Sequence, residues 1–170
     1  GTSGYDYAHG LATDVAGNIY VTGYTEGDLD GYTNAGRDDI FLIKYNSAGD
    51  KHWTRQIGTT EYDYAYAVTV GSDGNIYLAG PTSGNMDGIT NTGQSDIFIM
   101  KYNSDGAIQW TRQTGSSGND VTYGLTVDQH NNIYAVGWTS GQLDGTASAG
   151  GNDLFMVKYD SNGVKQWIWQ

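Results

Sequence analysis

The chain has 170 residues, a formal net charge of −11 and a sequence pI near 4.2, so phosphate backbones and anionic membrane surfaces are repelled and nucleic acid is disfavoured as a partner. It holds no cysteine, which excludes disulfides and thiolate metal sites. No apolar run approaches the length of a membrane span, which argues against membrane insertion.

Glycine is abundant (26), proline nearly absent (1) and tyrosine frequent (14), a mix that suits short strands joined by tight turns and disfavours an all-helical chain. The first strand is predicted over roughly residues 8–15, with a turn through Asp14 to Asn18. The second covers 18–25, where β-branched and aromatic residues alternate, and the short Gly/Asn turn between them makes a hairpin. A long loop, 26–38, leads to the third strand, 39–45, whose Ile-Phe-Leu-Ile run is apolar on both faces and therefore belongs inside a stack. After the turn 46–49 comes the fourth, 51–57, carrying Trp53 and Arg55 on one face.

The pattern then returns. Asp39-Ile-Phe-Leu-Ile-Lys-Tyr recurs as Asp96-Ile-Phe-Ile-Met-Lys-Tyr and Asp153-Leu-Phe-Met-Val-Lys-Tyr, a period of 57 residues that Trp53, Trp110 and Trp167 also keep. Repeats therefore run 1–57, 58–114 and 115–170. The counterparts of the first strand fall at 65–70 and 122–127. Because the chain starts and stops at a repeat boundary, it reads as a piece of a longer array.

Tandem four-stranded meanders stack most naturally as propeller blades, the first strand near the axis and the fourth at the rim. The fold expected is all-β, a β-propeller-type array of three four-stranded antiparallel blades; a β-trefoil or β-prism, each closed by three repeats, is the alternative. The run Gly-Asn-Ile-Tyr-Val-Thr-Gly-Tyr-Thr, then Asp-Ile-Phe-Leu-Ile-Lys-Tyr-Asn-Ser-Ala-Gly, then Trp-Thr-Arg-Gln-Ile-Gly resembles the bacterial SBBP family, the seven-bladed β-propeller repeat. The resemblance covers the whole chain. It implies a large secreted or surface protein and says nothing of chemistry. The repeats depart from one another at Pro81, where Tyr24 and Trp138 stand, at Gly71, where Asp14 and Asp128 stand, and at Trp169, where Arg55 and Arg112 stand. A ring takes typically about four to eight blades. Three blades alone thus leave apolar faces that want a second copy or further repeats.

Meander geometry puts the long loops on the same end as the inter-repeat connections, and that end collects the acids. Calcium prefers carboxylate, carbonyl and amide oxygens on glycine-permitted loops, and Asp28, Asp30, Asn34 and Asp39 supply such oxygens in the first repeat. The second repeat keeps Asp87, Asn91 and Asp96, the third only Asp144 and Asp153. The plainer reading makes Asp-Gly a turn, pinned by the preceding Leu or Met, with Asp39, Asp96 and Asp153 bound to backbone amides. In the connections, Asp6, Asp63 and Asp120 recur near Tyr5, Tyr7, Tyr62 and Tyr64, which suits a polar ligand such as a glycan at each blade junction; the plainer reading is an aspartate that fastens the loop. Lys44, Lys101 and Lys158 are expected to pair with a neighbouring aspartate.

His9, His52 and His130 do not occupy equivalent positions, and no nucleophile elbow, metal-ligating histidine pair or phosphate loop is present. The function expected is a non-enzymatic extracellular or cell-surface scaffold, structural or interaction-mediating, self-associating or part of a longer protein or filament. The alternatives are a lectin-like module and a calcium-stabilised adhesin segment.

Overall fold

Two kinds of turn shape each repeat, and both need a left-handed residue. Gly49, Gly106 and Gly163 take φ of 89°, 77° and 74° in one, while Gly17, Gly74 and Asn131 take 81°, 76° and 59° in the other. Only glycine and, at modest cost, asparagine adopt that region readily. These turns reverse the chain into hairpins. In the computed structural model, which describes residues 1–170, the result is twelve strands.

The first blade comprises β1 (Asp6–Thr13), β2 (Ile19–Thr25), β3 (Asp39–Tyr45) and β4 (Lys51–Ile57). The second comprises β5 (Ala67–Val70), β6 (Ile76–Thr82), β7 (Asp96–Tyr102) and β8 (Ile108–Thr114). The third comprises β9 (Asp120–Val127), β10 (Ile133–Thr139), β11 (Asp153–Tyr159) and β12 (Lys165–Trp169). Each sheet is an antiparallel meander in chain order. The first strand starts and stops two residues earlier than its apolar pattern suggests. It stops at the turn, whose backbone bonds recur in all three blades, and there the Asp14 carboxylate also accepts the amides of Ala16 (3.0 Å) and Asn18 (2.9 Å).

The core lies between blades and not within them. Tyr20, Ile40 and Leu42 of the first blade pack with Val68, Ile76, Leu78, Phe98 and Met100 of the second. Tyr77, Ala79, Ile97 and Ile99 pack in the same manner with Ile133, Ala135, Phe155 and Val157 of the third. Strands β1, β5 and β9 lie side by side, as inner strands of an arc. Gly10 of β1 approaches β5 so closely that a methyl group there would meet the Val68 amide nitrogen at 3.1 Å. No third core joins the outer blades, so the arc is open. A β-trefoil or β-prism would need that closure, and both alternatives fall.

Each joint carries a polar latch at the rim. Arg55 donates from Nε to the Gly106 carbonyl (2.8 Å) and from Nη2 to that of Asp105 (2.7 Å), its guanidinium resting 4.9 Å from the Trp53 ring centroid. Lys44 donates to the Ser104 carbonyl at 3.2 Å. Arg112 repeats this on Gly163 (2.6 Å) and Asn162 (3.1 Å), and Lys101 on Ser161 (3.2 Å). The lysines thus act mainly as latches to the next blade. The expected pairing with aspartate forms only at Lys101, whose Nζ lies 3.5 Å from Asp73.

Candidate functional site

The long loops and the inter-repeat connections do meet at one end of the blades. Asp38 bridges to Tyr62 and Ser95 to Asn119, and the Asp63 and Asp120 amides donate to the Asp38 and Ser95 carbonyls, each at 2.9 Å. Each connection is closed by its own aspartate. Asp63, fully buried, accepts the Thr59 amide and hydroxyl and the Thr82 hydroxyl. Asp120, also fully buried, accepts the Ser116 amide (2.6 Å) and hydroxyl (3.1 Å). Asp6 accepts the Thr2 amide (2.6 Å) and the Thr25 hydroxyl from an exposed position. A Thr or Ser four residues before the aspartate supplies the donors in all three repeats. At Asp63 and Asp120 the carboxylate therefore faces its own loop and not solvent.

Burial pushes the Asp63 carboxyl above the usual aspartate range, because desolvation outweighs the bonds from Thr82 and Thr59 and the nearby Asp39 adds repulsion. At Asp6 burial is slight. The bonds from Thr25 and Thr2 outweigh it and hold that carboxyl low.

The long loops are built by a residue that composition and charge did not single out. Gln56 accepts the Leu29 amide on Oε1 (2.8 Å) and donates from Nε2 to the Gly27 carbonyl (3.0 Å) and Asp39 Oδ2 (3.0 Å). Gln113 does the same for Met86, Gly84 and Asp96, and Gln170 for Leu143, Gly141 and Asp153. Leu29, Met86 and Leu143 are buried beneath the loops. The signal was present in the sequence, since glutamine recurs at the period of 57 residues three positions after the repeat tryptophan.

The calcium candidates are distributed among these bonds. Asp39 Oδ2 accepts the Ala35 amide (2.9 Å), Asp96 the Thr92 amide (3.0 Å), and Asp153 the Ala149 amide (2.9 Å) with the Ser148 hydroxyl (2.8 Å). Asp28 accepts the Asn34 amide (2.8 Å), and Asn34 and Asn91 turn their side-chain oxygens back to the amides of Gly36 and Gly93. Asp30, Asp87 and Asp144 adopt φ of 51°, 52° and 50° ahead of a left-handed glycine, as a tight Asp-Gly turn requires. Asp30 pairs with Lys51 (2.6 Å) and bonds Thr54, and Asp144 pairs with Lys165 (2.6 Å). Nowhere do three or more carboxylates or histidines converge in a way that could hold a metal ion.

One buried carboxylate does not follow the repeat. Asp38, 6% exposed, is replaced by Ser95 and Asn152 in the other blades. It sits against the Tyr64 hydroxyl, and burial raises its pKa, with Glu26 and Asp39 adding repulsion. Around it stands a run of rings across the first joint. Tyr7 lies 5.1 Å from Tyr24, Tyr24 lies 4.5 Å from Tyr64, and Tyr64 is stacked 5.9 Å from both Tyr62 and Tyr66. Arg37 caps Tyr62 at 4.8 Å and donates to its hydroxyl. Tyr5, Tyr7 and Tyr62 remain exposed. No helix is long and apolar enough to cross a membrane.

Comparison with known proteins agrees with this architecture. A family model described as a β-propeller repeat, SBBP, matches residues 1–30, 52–85 and 109–144, more than half of the chain. The second and third matches run from the fourth strand of one blade through the second strand of the next. The chain is 29% identical over 164 residues to an uncharacterized WD repeat-containing protein of Acanthamoeba polyphaga mimivirus, covering 80% of this chain and 12% of that protein. It is 27% identical over 174 residues to the regulatory protein FlaEY of Caulobacter vibrioides, covering 91% of this chain and 18% of that one. Among solved structures, a luciferin-regenerating enzyme is similar at 16% identity with a TM-score of 0.41, over 93% of this chain and 42% of the other. Three four-stranded blades, and a repeat model matched once in each repeat, place the chain in the SBBP β-propeller repeat family.

Proposed function

We propose that this chain is a non-enzymatic interaction scaffold of an extracellular or cell-surface protein, built to present a stiff, acidic loop surface. The observation that carries this reading is the use of the recurring polar side chains. Asp39, Asp63, Asp96, Asp120 and Asp153, with Gln56, Gln113 and Gln170, are engaged in holding loop backbone, which leaves rigidity as their role. The repeats support a structural role in the same way, because each site that recurs does so with the fold. Since the chain spans 12% and 18% of the relatives it matches, the activity of a whole parent protein is a separate matter.

Hydrogen exchange tests the reading at its base. The amides of Leu29, Met86, Leu143, Thr59 and Ser116 are expected to exchange as slowly as strand amides; fast exchange there would mean the loops are not rigid and the scaffold reading fails. Surface proteolysis of intact cells carrying the parent protein tests the location.

Carbohydrate binding is the second reading, favoured by the exposed rings of Tyr5 and Tyr7 and by that of Tyr62, which bridges to Asp38. A glycan array with tyrosine fluorescence titration separates the two. Saturable, sugar-dependent quenching supports the lectin, and a flat response across many sugars removes it.

A further inference from the structure

In the second blade β8 runs beside the loop turn Met86–Gly88, to which Gln113 fastens it through the Met86 amide (2.9 Å). In the first blade the equivalent turn is closed by an ion pair, where Asp30 accepts the Lys51 ammonium at 2.6 Å and also the Thr54 hydroxyl. In the third, Asp144 accepts the Lys165 ammonium at 2.6 Å. The turn backbone is the same in all three, with Asp30, Asp87 and Asp144 at φ of 51°, 52° and 50°. The second blade breaks the pattern in one side chain. Where Lys51 and Lys165 stand it has Ile108, and no cation of the chain pairs with Asp87.

Two further features mark the gap. Thr111, the equivalent of Thr54, is 3% exposed and its hydroxyl has no partner. Ile108 is 41% exposed on the same edge as the exposed Asp87. This blade has a neighbour packed against each of its faces, so its rim is bare although the joints on both sides are complete. Further repeats would extend the array beyond the first and third blades and leave this rim as it is.

We propose that the rim of the second blade, at Asp87, Thr111 and Ile108, is a docking site for a lysine-bearing segment of a basic partner protein. This rests on the scaffold reading and names the chemistry of its partner. The partner's ammonium takes the place that Lys51 fills at Asp30 and donates to the Asp87 carboxylate, the Thr111 hydroxyl turns to the same carboxylate as Thr54 does, and an apolar residue next to the lysine covers Ile108. The turns of the other two blades already hold an ammonium there, which is why lysine is the group expected. A net charge of −11 draws a basic partner and repels an acidic one. One exposed ion pair with a single apolar contact is weak, so the contact is an exchangeable one.

NMR titration of the 170-residue chain with the tripeptide Leu-Lys-Leu, blocked at both ends, beside the same peptide with norleucine in place of lysine, is the test. Saturable shifts centred on the Asp87 carboxyl carbon and the Ile108 methyl groups are expected, with binding about threefold or more weaker for the norleucine peptide. Ile108→Lys supplies the ammonium that the other blades carry and should remove the response, and Asp87→Asn should weaken it by about threefold or more. Both positions are exposed, so neither change should disturb the fold, and circular dichroism checks this. Shifts spread over the acidic residues with no focus at Asp87, a response that survives Ile108→Lys, or norleucine binding as well as lysine overturns the proposal. Spermidine saturating the same position as tightly as the peptide would make it a site for small cations and overturns the docking as well. Slow exchange of the Leu29, Met86 and Leu143 amides in the same sample would leave the scaffold reading standing.

Discussion

Arg55 crosses from the last strand of one blade to the carbonyl of Gly106 in the turn of the next, 2.8 Å away, and Arg112 makes the equivalent bond to Gly163. The two residues of each pair lie 51 positions apart, so the bond ties consecutive repeats and has no role inside one. Replacing Arg55 with alanine is expected to cost about 2 kcal/mol, two charge-assisted bonds partly open to water. Arg55→Lys should lose a large part of the same amount, because an ammonium lacks the fork that spans two carbonyls. Urea unfolding measures both, and a loss below about 0.5 kcal/mol for alanine would show the latch to be decorative.

Gln113 offers a sharper test of the loop architecture. Gln113→Ala leaves the Met86 amide and Asp96 short of a partner and is expected to cost about 2–4 kcal/mol. Gln113→Glu should be no better, since a carboxylate cannot donate to Asp96 and adds charge beside it. Hydrogen exchange should show the Met86 amide released in Gln113→Ala, where its acceptor is gone, and retained in Gln113→Glu, whose carboxylate still accepts it, while the β7 amides stay protected in both.

Asp39 and Asp96 differ by one missing hydroxyl. Asp96 Oδ1 accepts the Thr92 hydroxyl at 3.0 Å, whereas Asp39 Oδ1 is buried without a partner because Ala35 occupies the matching position. Ala35→Thr is expected to stabilise the chain by about 1 kcal/mol, seen as a higher urea midpoint at unchanged slope. A neutral or destabilising result would mean that the loop cannot offer the hydroxyl as the second repeat does.

Acid should act on Asp128 and Asp63 with opposite sign. The bond from the Asn132 side chain, with the amides of Asn132 and His130, holds Asp128 down to about 2. Its folded value lies below the unfolded one, so its contribution is complete above about pH 4 and is lost as pH falls toward 2. Asp63 is raised by burial, so the folded chain binds its proton first, and that group alone favours folding as pH falls through the window above its ordinary value. NMR titration of the carboxyl carbons should place Asp63 above and Asp128 below the unperturbed aspartate range. Asp128→Asn should make stability depend less on pH between about 4 and 2. Parallel pH profiles for the variant and the parent chain would contradict the assignment.

Much of the fold was legible because the repeat states it three times. The third and fourth strands of the first repeat fall where the apolar run and the tryptophan place them, Asp39–Tyr45 and Lys51–Ile57. The first strand was less legible, since backbone turn bonds from Asp14 to Gly17 and Asn18 end it and not any break in apolar pattern. The long loops and the inter-repeat connections were placed at the same end of the blades, where they do meet, yet their residues were grouped by charge. Partners decide their roles, and Gln56, neutral and unremarkable in composition, proves to be the residue that ties Asp39 to the loop.

The sequence by itself determined the repeat, its strands, its turns and its acidity, because periodicity, glycine placement and charge are local properties that each residue carries with it. Only the tertiary structure decided which carboxylates are taken by their own loops, that Asp38 is buried against Tyr64, and that Lys44 reaches a carbonyl 60 positions away. Those outcomes depend on how one blade lies against the next. A hydrogen bond is made or lost over a few tenths of an ångström, which no period along the chain records.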